Sequence, residues 1–268
     1  MLSVVFIILF TLTLAFGQVN VFNLSFNQSY YHDNMSFTQG LFIEEGKVWE
    51  SSGGYGKSFI RQWNLESAEV LAELKVDPEI FIEGITSCAG KYYALTWKSG
   101  QVFEFDSLLT ELKPIWNIKG EGWGASCYQN NLITSDGSSL LKKINPLNGD
   151  VLATIDINKN LSILNTEKHK GLNELEVIDD YLLINLWYKN HILIFDLKKN
   201  KLIEKWDFSK VLSSIPNNEK SKMDSMNGIA WDSQKNKLFL TGKLWFQVYE
   251  VEIPNGSLLK TINFKSNN

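Results

Sequence analysis

Five stretches of the chain share one shape, and this repetition constrains the fold more than any other feature. They read GLFIEEGKVWESSG from Gly40, GITSCAGKYYALTW from Gly84, WGASCYQNNLITSD from Trp123, ELEVIDDYLLINLW from Glu174 and GIAWDSQKNKLFLTG from Gly228, with starts spaced 44, 39, 51 and 54 residues apart. Each has an apolar strand, a tight turn, a second strand, then a Gly, Trp or Asp. Further strand candidates follow, such as FIRQWNL and VLAELKV after the first. Four strands per 40–50 residues is the pattern of a propeller blade. The sequence therefore predicts an all-β fold, a five-bladed β-propeller with about four antiparallel strands per blade. Blades bury their faces against neighbours, so residues 18–268 are expected to form a single domain.

The remaining sequence agrees with this reading. Hydrophobic residues make up 44% of the 268, enough for a sizeable core. Prolines 78, 114, 146, 216 and 254 fall in connections or at strand edges, where a missing N–H is tolerated. Only Ser209–Ser214 and Ile163–Lys168 suit a helical turn. The ring must also close. Val19–Phe26 and Leu258–Phe264 compete to supply the outer strand of the last blade.

The apolar, uncharged run Leu2–Phe16 is shorter than the roughly 20 residues that span a bilayer. It ends with Ala15 and Gly17 at the −3 and −1 positions of a signal-peptidase site, so residues 1–17 read as a cleaved secretory signal. The expected location is the secretory lumen or outside the cell, without stable membrane insertion. Sequons at Asn23, Asn27, Asn34, Asn160 and Asn255 are candidate glycosylation sites. Cys88 and Cys127 fit a disulfide or two buried thiols equally well.

Composition removes several kinds of chemistry. The net charge is −4 with no basic block, which argues against nucleic acid as a partner. The three His lie in different repeats without H-x-H or H-E-x-x-H spacing, so no metal site is expected. There is no G-x-S-x-G elbow, P-loop or G-x-G-x-x-G after a strand. Asp136-Gly137-Ser138 reads as a turn rather than a calcium loop.

What remains is a set of residues that the repeat gathers. Innermost-strand starts and second-strand ends of all blades meet at one mouth of the central channel. They bring Phe37, Gln39, Phe81, Glu83, Trp123, Asn173, Glu174 and Asn227 together with Trp97, Asp136, Trp187 and Lys243. Aromatic walls with a few convergent polar groups describe a small-ligand pocket. Structural readings compete: a strand-end Trp packs between blades, Glu83 binds backbone amides or pairs with Lys243, and Asn173 and Asn227 serve as turn residues.

At these residues the sequence resembles the plant-type glutaminyl-peptide cyclotransferases, which are five-bladed propellers. The resemblance runs from His32 to Trp245. It rests on H-D-x-x-x-F-T-Q-G (32–40), E-S-S-G-x-Y-G (50–56), E-G-I-T (83–86), L-T-W (95–97), G-W-G (122–124), S-D-G-S (135–138), N-E-L-E (173–176), N-G-I-A-W (227–231) and T-G-K-L-W (241–245), in that order. The family's catalytic carboxylate matches Glu83, and its pocket residues match Phe37, Gln39, Phe81, Trp97, Trp123, Asn173, Trp187 and Lys243. Ile82 stands where the family usually has Gly, and the Asn34 sequon lies close to the pocket motif.

The resemblance implies an enzyme that closes an N-terminal Gln into pyroglutamate with release of ammonia. Its substrates would be peptides or proteins with N-terminal Gln. Acting as a monomer, it would need no cofactor and no metal, because the substrate's own amine is the nucleophile. Glu83 would shuttle the proton. Lys243, Asn173 or Gln39 would donate to the oxyanion, at about 3 kcal/mol for one such donor. Two other readings remain: a non-catalytic secreted propeller that binds peptides or glycans at the same mouth, and a sugar hydrolase using Glu83 with Glu174.

Overall fold

The computed structural model describes residues 19–159 and 169–261. The expected signal segment, Asn160 and the expected helical turn at Ile163–Lys168 lie outside the described residues.

Two strands, β1 (Asn20–Asn23) and β2 (Phe26–Tyr31), precede the first repeat. Blade 1 follows as β3 (Thr38–Glu44), β4 (Lys47–Ser52), β5 (Phe59–Trp63) and β6 (Val70–Lys75). Blade 2 is β7 (Ile82–Cys88), β8 (Lys91–Thr96), β9 (Gln101–Phe105) and β10 (Leu112–Asn117), and blade 3 is β11 (Ala125–Tyr128), β12 (Asn131–Thr134), β13 (Leu140–Ile144) and β14 (Val151–Asp156). Blade 4 is β15 (Leu172–Ile178), β16 (Tyr181–Leu186), β17 (His191–Asp196) and β18 (Lys201–Asp207). Blade 5 takes β19 (Met226–Asp232), β20 (Lys237–Gly242) and β21 (Gln247–Val251). The blades are separate antiparallel sheets in chain order from the inside out, and β3, β7, β11, β15 and β19 pack against one another in a ring. The five repeats are the five inner hairpins of a five-bladed β-propeller.

The ring closes differently from either expectation. The fourth strand of blade 5 is β2, antiparallel to β21 with Phe26 opposite Val251 and Tyr31 opposite Gln247. The earlier part of the expected span forms β1, which adds to blade 4 as a fifth strand, parallel to β18. Just after β1, Leu24 is buried with Trp206 and Phe208 in the seam between blades 4 and 5, and Phe22 of β1 packs partly against the same cluster. Leu258–Thr261 forms a 3-10 turn instead of a strand. Glu204 holds it, accepting from Ser257 Oγ at 2.7 Å and Leu258 N at 2.8 Å, and Leu259 joins the same seam.

The core lies between blades. Ile192, Ile194 and Trp206 of blade 4 meet Ile229, Leu240 and Tyr249 of blade 5, while Trp49 and Ile60 of blade 1 meet Ile82, Ala94 and Phe105 of blade 2. Fully buried side chains of this size contribute about 1.5–3 kcal/mol each. Gly at the repeat starts has a steric cause. Gly84 N donates to the Trp123 carbonyl at 2.6 Å, and a Cβ on Gly84 would lie 2.5 Å from that oxygen and 2.7 Å from Ala125 N. Any side chain there would force blades 2 and 3 apart.

Cys88 and Cys127 are disulfide-bonded, which stitches β7 to β11. At a sequence separation of 39, the chain-entropy account assigns the bond about 4 kcal/mol. The helical turn at Ser209–Ser214 is α1 (Ser209–Ser213). A second short helix, α2 (Asn217–Lys220), and the outer strand β10 were not anticipated. Pro114 conceals β10. It lies on an edge strand, and the pairing shifts register between Pro114 and Trp116.

Candidate active site

Four of the five innermost strands begin with a one-residue bulge. The pairing register skips between Thr38 and Gly40, Ile82 and Ile85, Leu172 and Leu175, and Met226 and Ile229. A bulge sets two residues against one and re-aims a side chain. Here the re-aimed residues include Gln39, Glu83 and Asn173, which turn into the channel mouth. Second-strand ends supply the facing groups, with Trp97 following β8, Trp187 following β16 and Lys243 following β20.

Together these residues enclose a cavity of about 260 Å³. It is lined by all nine expected residues, Phe37, Gln39, Phe81, Glu83, Trp97, Trp123, Asn173, Trp187 and Lys243, joined by Tyr188 and Asp224. Ring pairs build the walls: Phe81 meets Trp97 at 5.3 Å between centroids, and Trp123 meets Trp187 edge-on at 5.2 Å. Trp187 stands 40% exposed at the rim, with the Tyr188 ring tilted against it at 4.5 Å between centroids. The S-D-G-S motif explains the place of Trp123. Gly137 has φ +77°, and a Cβ there would lie 2.7 Å from the Trp123 ring, so the turn forms a floor that only glycine permits.

The polar groups are under-satisfied. Glu83 is 6% exposed, and among the described residues no donor is hydrogen-bonded to its carboxylate. Burial pushes that carboxyl well above the usual range, opposed by Lys243 and assisted by Glu121. Lys243 is also buried, which lowers its ammonium while Glu83 and Asp224 pull the other way. Its Nζ lies 4.6 Å from the Phe37 ring centroid and forms no ion pair within 4 Å among the described residues. Gln39 Oε1 and Asn173 Oδ1 are buried without hydrogen-bond partners. Two orphan acceptors and a donor-free carboxylate in an aromatic cavity suit a ligand rich in N–H donors.

Other residues from the sequence-derived set lie elsewhere. Asn227 turns its Nδ2 to the Thr38 and Gln39 carbonyls at 3.0 and 3.1 Å, bracing β3 rather than lining the cavity. Glu174 accepts from Ile229 N at 2.9 Å, fully buried among backbone amides, so it makes no pair with Glu83 across a bound sugar. Asp136 pairs with Lys142 at 3.0 Å and caps Ser138. Tyr188, Asp224 and Glu121 were missed. Each is one or two residues from a motif Trp or in an irregular connection, and no spacing rule singles it out.

Comparison with known proteins gives a consistent set of relatives. A family model described as glutamine cyclotransferase matches residues 4–253. A glutaminyl-peptide cyclotransferase of Arabidopsis thaliana is 32% identical over 228 residues, covering 84% of this chain and 70% of the relative. The crystal structure of Myxococcus xanthus glutaminyl cyclase superposes with a TM-score of 0.76 at 27% identity, covering 88% of this chain and 98% of that one.

Proposed function

This chain belongs to the glutamine cyclotransferase family, and we propose that it converts the N-terminal Gln of peptides and proteins to pyroglutamate in the Trp-lined cavity, with Glu83 as the proton shuttle. The observation that carries this reading is a buried carboxylate without donors, facing a buried lysine inside an aromatic cage. The substrate arrives as an α-ammonium with a γ-carboxamide. Its N–H groups match the unpartnered Gln39 Oε1 and Asn173 Oδ1, so these two amides are assigned to binding the donors and Lys243 to the oxyanion.

Glu83 first takes one proton from the α-ammonium. Its raised pKa moves it toward the α-amino value of about 8, which makes that transfer cheap. The freed amine attacks the γ-carbonyl carbon, and the C=O electron pair moves onto oxygen opposite Lys243. Glu83 returns its proton to the carboxamide nitrogen. The C–N bond breaks, the carbonyl re-forms and ammonia leaves. The ring nitrogen then gives its extra proton back to Glu83, which passes it to ammonia, so the products are a pyroglutamyl peptide and ammonium. Trp97, Trp123 and Trp187 keep water out and hold the folded-back conformer that brings amine and carbonyl together.

Secretion belongs to the same proposal. The disulfide fits an oxidising compartment, and no helix among the described residues is long and apolar enough to cross a membrane. Asn23, Asn27 and Asn255 are exposed and open to glycosylation, whereas Asn34 is half-buried.

Incubation with a synthetic Gln-initiated peptide, read by mass spectrometry and a coupled ammonia assay, tests the activity. Loss of ammonia from the peptide is expected. A folded protein that binds the peptide and leaves it intact would favour the non-catalytic propeller.

A further inference from the structure

Trp97 and Trp123 come from different blades, yet one atom holds both. Trp97 Nε1 and Trp123 Nε1 each donate to Oε2 of Glu121 at 2.9 Å. Glu121 lies in the connection between β10 and β11, behind the two indoles and not among the residues that line the cavity. We propose that Glu121 is a positioning residue, whose single carboxylate oxygen fixes the two indoles as one aromatic wall that receives the substrate's α-ammonium.

Three physical consequences follow from this arrangement. An indole has one N–H, so anchoring it sets the direction of the ring face. A charge-assisted hydrogen bond is about twice as strong as a neutral one, so the anchor resists the disorder that a loop-borne Trp would otherwise have. A carboxylate at the indole N–H also draws positive charge out of the ring and makes its face a better partner for a cation. Glu121 further acts on Glu83 through space, since its charge adds to the effect of burial and opposes that of Lys243. Other charged or titratable groups around this sector include Asp224 beside Lys243, Tyr188 on the lining, Lys98, whose Nζ lies 4.2 Å from the Trp97 ring centroid, and Asp136, which shares a neighbouring cleft with Trp123 and pairs with Lys142.

This inference rests on the proposed cyclisation, and its test separates the two. Glu121→Ala removes the anchor, while Glu121→Gln keeps an oxygen that accepts from both indoles but removes the charge. In wild-type protein the Trp97 and Trp123 indole N–H resonances are expected downfield in a nitrogen–proton correlation spectrum. Glu121→Ala moves both upfield together and raises KM for a Gln-peptide about three- to thirtyfold, the worth of a cation–π contact. Glu121→Gln keeps the acceptor but not its charge, so it raises KM by less than Glu121→Ala does and moves the acid limb of kcat/KM to lower pH, because Glu83 loses a neighbouring negative charge. That shift is one a merely structural role would not produce. Movement of only one resonance, or of both with an unchanged KM, would overturn the proposal, as would a Glu121→Gln profile identical to wild type. If Glu121→Ala does not fold, the isosteric Gln variant decides through the pH profile. If wild-type protein releases no ammonia, the cyclisation reading fails on its own. The resonances, with peptide affinity from tryptophan fluorescence in place of KM, still decide the role of Glu121.

Discussion

Two glutamates lie buried on adjacent blades, Glu50 on β4 and Glu83 on β7, and their surroundings drive their carboxyl groups in opposite directions. Burial alone would raise both. Around Glu50 it is overcome: His32 Nε2 donates at 3.0 Å, Thr38 Oγ1 at 2.8 Å, and Arg61 Nε and Nη2 at 2.9 and 2.7 Å. The His32 and Arg61 charges bring that carboxyl down to about 2. Arg61 also reaches Asp33 and Ser36, and His32 Nδ1 donates to the Trp245 carbonyl, so the cluster ties the entry to blade 1 onto blade 5. Among the described residues Glu83 has no donor, and the Lys243 cation is held at a distance. The difference teaches that in this fold a buried carboxylate becomes structural or reactive according to which donors its neighbours supply or withhold.

Substitutions can break the comparison. Glu83→Gln is expected to lower turnover by about 10³-fold, within the usual range for loss of acid–base catalysis, with the melting temperature held near wild type. Ammonia release and thermal unfolding on the same preparation check both halves. Near-normal turnover would remove Glu83 from its role. Glu50→Ala should do the reverse. Arg61 and His32 lose their buried partner, and Arg61 keeps only the half-exposed Asp33 carboxylate, which costs about 3 kcal/mol, or roughly 10 °C for a chain of this size, while the folded fraction keeps its kcat. Denaturant titration with parallel activity measurements distinguishes this from a catalytic effect.

Two smaller effects sharpen it. Lys243→Met removes the cation that restrains Glu83, so the carboxyl rises further and the acid limb of kcat/KM moves to higher pH, with kcat/KM down at least about tenfold. A pH–rate series shows the direction. Glu176 on β15 supplies the mildest case, since it is half-buried with Trp231 N donating to it at 2.8 Å, and desolvation pushes its carboxyl up to about 8. A folded-state value above the ordinary one means stability that is complete below about pH 4.5 and is lost as pH rises through about 8. Glu176→Gln keeps the acceptor and removes the titration. It should melt higher than wild type at pH 9 and like wild type at pH 5. The Glu50 carboxyl has the opposite sign, with stability present above about 4.5 and lost as pH falls toward 2.

The sequence exposes the inner hairpins because their strands are apolar, regularly spaced and bounded by Gly, and it exposes the pocket tryptophans because they end those hairpins. It hides what depends on neighbours. The bulges that aim Gln39, Glu83 and Asn173 exist only in the pairing of two strands, and a Gly one residue later is their sole trace at Gly40 and Gly84. Asn173 and Asn227 occupy the same bulge position in blades 4 and 5. Only the latter finds the Thr38 and Gln39 carbonyls within reach, and so one lines the cavity while the other braces a strand. The closing strand β2 reads FNQSYY, largely exposed and without alternation, so nothing in it outcompetes the more apolar stretch before it.

The pairing of Phe26 with Val251 also has a consequence for how the molecule is made. A strand that leaves the ribosome near the beginning has its partner near the end, so it must wait for almost the entire chain before it can settle. Four blades can form from nearby segments while synthesis proceeds. The fifth requires a long-range closure, slow because of the loop entropy it must overcome. Until then the newborn protein carries an open edge on blade 5 and an unpaired β2, both prone to join another copy. The step that closes the ring is therefore expected to limit the yield of native protein.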